Sequence, residues 1–142
     1  MRRIIRAGIL ATAMVGLLAG TASAVSAHFL YANVTEVTSN SITVSFKEAG
    51  LGNSLDSVNM VLTGTAECIN PGSKHPKASN KTGFVVSGTF NISNGQATGS
   101  LTSTATTSPS CTPPMTLAWT DLVLTDTTFN DSISIPGTYT AS

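Results

Sequence analysis

Apolar residues recur at every second position through most of the chain beyond residue 27. In SITVSFK, Ile42, Val44 and Phe46 share one face. SVNMVLTGTAEC keeps one phase through Val58, Met60, Leu62, Ala66 and Cys68. GFVVSGTFNI does the same with Phe84, Val86, Phe90 and Ile92. A period of two puts alternate side chains on one face of a strand, so each run predicts a half-buried β-strand. SNG then reads as a tight turn, and QATGSLTS returns with Ala97 and Leu101, which predicts a hairpin.

MTLAWTDLVLTDTTF begins in one phase with Met115, Leu117 and Trp119 and continues in the other with Leu122 and Leu124. A phase switch inside one strand predicts a bulge near Thr120 and Asp121. HFLYANVTEVT and SISIPGTYT supply the first and last strands, with Pro136 ending the last or confining it to an edge. The sum is about seven strands, no helix, and turns rich in Gly, Pro, Asn and Ser. This pattern predicts an all-β fold, an antiparallel β-sandwich of immunoglobulin-like architecture. Val44, Phe46, Met60, Leu62, Val86, Phe90, Leu101 and Trp119 form its expected core.

The first 27 residues follow a different rule. Arg2, Arg3 and Arg6 precede the apolar stretch AGILATAMVGLLAG and the small-residue segment TASAVSA. This is the three-part pattern of a secretory signal peptide, with an apolar stretch too short to span a membrane. Cleavage after Ala24 or Ala27 fits, and the expected division is 1–27 signal peptide and 28–142 a single secreted domain. Secretion changes the charge. The whole chain is formally neutral, but the leader carries three arginines and no acid, which leaves the mature domain at −3. That balance gives no basic field for nucleic acid or anionic lipid. Serine and threonine account for 40 of the 142 residues and keep two-sided strands wettable.

Two cysteines in a secreted chain most simply form one disulfide, Cys68 to Cys111. Closing a loop of about 43 residues is worth about 4 kcal/mol in the chain-entropy model.

HFLYANVT, VSFKEAGLG, CINPG with HPKASNK, FNISNGQATGSL, and VLTDTT with IPGTY occur in an order that resembles a group of small secreted bacterial proteins. The resemblance spans most of the mature chain. It implies a bacterial extracellular protein and brings no catalytic residue with it.

The chain lacks G-x-S-x-G, H-E-x-x-H, C-x-x-C and any phosphate-cradling glycine loop. Glu36, Glu48 and Glu67 are the glutamates from which a carboxylate pair would have to come. Glu48, beside Lys47, is expected to be a solvated or ion-paired strand end. DTTFND offers oxygen ligands at Asp126, Thr128, Asn130 and Asp131 but reads as a hairpin turn, since the glycine and terminal glutamate of a calcium loop are missing. The two histidines provide an alternative function. With cleavage after Ala27, the amino group and ring of His28 together with His75 would offer three nitrogens to copper(II). Copper proteins of the secreted β-sandwich type are similar in using an N-terminal histidine. The segment CINPGSKHPKASNKTG gathers Lys74, Lys77 and Lys81, three of the four lysines of the mature chain. A basic loop on an acidic body suits an anionic partner such as a cell-envelope polymer. The sequence as a whole predicts a non-enzymatic, extracellular or envelope-associated module without a cofactor, capable of self-association.

Overall fold

The computed structural model describes residues 26–72 and 80–142. The N-terminal segment read as a signal peptide lies outside them up to residue 25, as do Lys74, His75 and Lys77. Eight strands follow in chain order: β1 (His28–Val37), β2 (Ser41–Ala49), β3 (Ser57–Ile69), β4 (Lys81–Asn91), β5 (Ala97–Thr104), β6 (Thr116–Asp126), β7 (Asp131–Ile135) and β8 (Tyr139–Thr140). They form two antiparallel sheets. One has the order β1-β2-β5, and the other has the order β4-β3-β6-β7 with β8 also pairing β6. Lettered along the chain, this is the A-B-E and C′-C-F-G arrangement of an immunoglobulin-like sandwich.

The core lies between the sheets, and the alternation of the sequence determines which side chains reach it. Ile42, Val44 and Phe46 of β2 face Val58, Met60 and Leu62 of β3 and Trp119, Leu122 and Leu124 of β6, all fully buried. Of the expected core, Val86 and Phe90 are only half-buried. They lie on β4, an edge strand covered on one side alone. Their packing is nonetheless specific: Phe90 meets Phe46 edge-to-face at 4.9 Å, and Phe84 meets Trp119 in the same way at 5.2 Å.

The expected bulge is present. Between Thr63 and Thr65 of β3 the partner residues on β6 jump from Val123 to Thr120, and Asp121 takes a φ of 54°. The extra residue on β6 is what switches its apolar phase. Gly64 opposite it has no room for a side chain, because a Cβ there would lie 2.7 Å from Leu122 and 2.8 Å from Phe84. The bulge also divides the neighbouring edge of β6. β7 pairs with Leu122 and beyond, the chain breaks at Pro136 and Gly137, and β8 then pairs with Ala118 and Trp119. This short β8 is the strand beyond the expected seven.

The expected hairpin forms only at its turn. Ser93 and Gln96 exchange two backbone hydrogen bonds around Asn94 and Gly95, both with positive φ. The strands on either side then separate: β4 pairs β3, and β5 pairs β2 in the other sheet. The turn is therefore a crossover between sheets.

Cys68 and Cys111 are bridged, with Cα atoms 5.4 Å apart. The bond ties the end of β3 to the segment leading into β6, so it closes one end of a single sheet and does not cross the core.

Candidate functional site: a buried carboxyl pair between the sheets

The alternation that buries Ile42, Val44 and Phe46 continues two residues further, to Glu48. The same holds on β6, where Leu122 and Leu124 are followed by Asp126. Both acids are buried with no exposed surface. Glu48 is thus not the solvated or ion-paired strand end expected from its neighbour Lys47. Strand geometry sends Lys47 to the opposite face, and the carboxyl goes into the core.

The local structure holds both side chains in place. Glu48 lies on the central strand of its sheet, with Phe29 of β1 on one side and Ala97 of β5 on the other. Directly after it, Gly50 and Gly52 adopt positive φ and turn Leu51 inward, where it is fully buried. Leu51 N–H donates to Gly95 O at 3.0 Å and holds this end of the sandwich closed. Asp126 closes the β6–β7 turn. Its Oδ1 accepts hydrogen bonds from Thr128 N (2.7 Å) and Phe129 N (3.3 Å). The turn is anchored in addition to β3, through Thr127 N to Asn59 O (2.9 Å) and Asn59 N to Thr128 Oγ1 (2.9 Å). DTTFND is therefore the hairpin turn its sequence suggested.

The remaining oxygens are the anomaly. Glu48 Oε1 and Oε2 and Asp126 Oδ2 are buried without a hydrogen-bond partner. Two ionised carboxylates can only accept, so neither can satisfy the other. Burial, the charge and hydrogen bonding of Asp126, and the charge of Asp131 together push the Glu48 pKa from 4.5 to about 8. A protonated Glu48 has an O–H that can donate to Asp126. The surface depressions at Asp121 and Gly137 and at Asn59 and Thr89 do not reach either carboxyl.

Of the two histidines singled out in the sequence, only His28 is among the described residues. His28 is exposed, and its Nδ1 lies 2.8 Å from Ser26 O. It pairs with Ala49, at the Glu48 end of the sandwich. The chain leaves β3 at Ile69 and enters β4 at Lys81, at the other end. The rise of a strand from Met60 to Ile69 separates these ends by roughly 30 Å. Lys81 begins β4 and forms an ion pair with Glu67 at 3.4 Å. It is thus a paired strand residue and not a free loop cation, while Lys74, His75 and Lys77 lie outside the described residues. Glu36 is exposed on the bulged edge strand β1. Among the described residues no three His, Cys, Asp or Glu side chains are grouped to hold a metal ion, and no helix is long and apolar enough to cross a membrane.

Comparison with protein-family models, with curated proteins and with solved structures finds no match to this chain.

Proposed function

We propose that this is a secreted, non-enzymatic extracellular module that associates with the cell envelope and presents hydroxyl-lined sheet faces to a polymer there. The observation that carries the reading is the Cys68–Cys111 disulfide, formed with bridging geometry in an all-β domain. Structural disulfides persist in oxidising compartments, in keeping with the leader-like N-terminus.

The outward face of the β1-β2-β5 sheet supports the choice of partner. Thr43 Oγ1 and Thr102 Oγ1 are 2.8 Å apart across β2 and β5, and Thr35 Oγ1 and Ser45 Oγ are 3.1 Å apart across β1 and β2. Ser41 and Thr104 extend the same rows. Each hydroxyl both donates and accepts, which suits a neutral, hydroxyl-rich polymer such as an envelope polysaccharide. The two deeply buried acids are part of the packing and offer no surface to a substrate.

The test is retention of the purified secreted protein on isolated cell envelopes. Thr43→Glu with Thr102→Glu should reduce retention while leaving the fold intact by circular dichroism. Retention that is unchanged in this variant but lost in Lys74→Gln with Lys77→Gln, or lost in wild type on adding salt, would assign the contact to the basic segment instead. A protein confined to the cytoplasm with two free thiols would reject the extracellular reading itself.

A further inference from the structure

Glu48 and Asp126 come from different sheets, and the Cys68–Cys111 disulfide does not join those sheets. We propose that Glu48 is carried as the neutral acid and donates its proton to Asp126 Oδ2, so that one shared proton clamps β2 to β6, and that alkaline medium opens the clamp.

Three buried oxygens lack partners when both groups are ionised: both oxygens of Glu48, and Asp126 Oδ2. A single proton on Glu48 converts the contact from a repulsion between desolvated like charges into a charge-assisted hydrogen bond. It also determines which residue carries the proton. Asp126 Oδ1 already accepts from two backbone N–H groups, which fixes this carboxyl in place as an acceptor. Glu48 accepts from none.

Among the described residues the surroundings offer no competing cation. β7 contributes a further acid, Asp131, whose charge also favours keeping the proton on Glu48. β3 and β5 contribute Met60 and Ala97, which do not titrate. From β1, His28 is exposed and its Nδ1 is directed to Ser26 O. Lys47 alternates to the outer face, and Asp56 in the link to β3 is exposed. Releasing the proton therefore leaves two negative charges buried between the sheets, with no cation among the described residues to neutralise them.

The raised Glu48 pKa agrees with this geometry and fixes the direction of the effect. An acid that holds its proton more tightly when folded than when unfolded loses stability as pH rises between its two pKa values, here 4.5 and about 8. Above that window the loss is complete and the profile levels off.

The experiment is equilibrium urea unfolding of the mature protein across this pH range, for wild type and Glu48→Gln. Glutamine has the shape of the neutral acid and keeps a donor for Asp126 Oδ2. The wild-type midpoint should fall by roughly 0.5–1 M urea per pH unit between about pH 5 and 8. The Glu48→Gln midpoint should be nearly flat and should exceed that of wild type above the window. A flat wild-type profile, or the same slope in both proteins, overturns the proposal. Infrared difference spectra serve as a second readout if the variant does not fold. Wild type at neutral pH should show the C=O stretch of a protonated carboxyl, and this band should vanish in alkaline buffer; its absence at neutral pH also overturns the clamp. Calcium chloride is added in a parallel arm. If it raises the alkaline midpoint of wild type but not of Glu48→Gln, the pair is a metal site and the shared-proton assignment fails.

Discussion

Phe90 lies across Gly99. The two residues belong to different sheets, and a Cβ on Gly99 would collide with Phe90 Cδ1 and Cε1. Gly99 is also the cross-strand partner of Phe46, the residue that Phe90 meets edge-to-face. The missing side chain on β5 is thus the space through which the edge strand β4 docks onto the facing sheet. Gly99→Ala should destabilise the protein by about 1–3 kcal/mol, because the ring cannot move without leaving Phe46. Phe90→Ala should cost about 3 kcal/mol. Urea midpoints measure both, and a neutral Gly99→Ala would show that the two sheets tolerate a wider separation here.

The disulfide should account for much of the stability of the domain. Replacing both cysteines by serine removes the constraint on a 43-residue separation and should lower the unfolding free energy by about 4 kcal/mol. Intact mass under native conditions, with and without reductant, should differ by the two hydrogens of one bridge. Alkylation should label no cysteine before reduction.

Asp121 occupies the bulge with a φ of 54°, a conformation that disfavours most side chains. Asp121→Gly should be neutral or stabilising by up to about 1 kcal/mol. Asp121→Val should destabilise by about 1–2 kcal/mol, since branching at Cβ worsens the clash. Thermal melts of the pair should rank glycine above aspartate and aspartate above valine.

The N-terminal segment makes a prediction about processing. Gly50, at φ 75°, sits directly against the carbonyl of Ser26, where a Cβ would collide with that oxygen, and Ala27 packs on the core. Ser26 and Ala27 therefore belong to the folded domain. Of the two cleavage positions the sequence offers, the one after Ala24 preserves both residues, so on the proposed secretion the mature chain should begin at Val25. Mass spectrometry of the mature N-terminus decides this. A chain beginning at His28 would show that the contact with Gly50 is dispensable.

Much of the architecture could be read directly from the sequence, because a period of two reports which face of a strand a residue occupies. The runs through Val44, Leu62 and Leu124 gave the strands and most of the core, and the switch between Trp119 and Leu122 located the bulge. The same periodicity, extended by one step, already placed Glu48 and Asp126 inside. Reading Glu48 by its charge and by its neighbour Lys47 gave the wrong side, because burial on a strand follows phase even when desolvation makes it costly. The turn at Asn94 and Gly95 was equally clear, since local backbone preference sets it. Other features depended on tertiary packing. Alternation does not say which strands pair, so the separation of β4 from β5 into different sheets was settled by the stacking of Phe90 over Gly99. It also does not say which inward residues of facing sheets meet. Glu48 and Asp126, 78 positions apart in the sequence, act on each other because β2 and β6 end at the same end of the sandwich, and only there can two unremarkable acids share one proton.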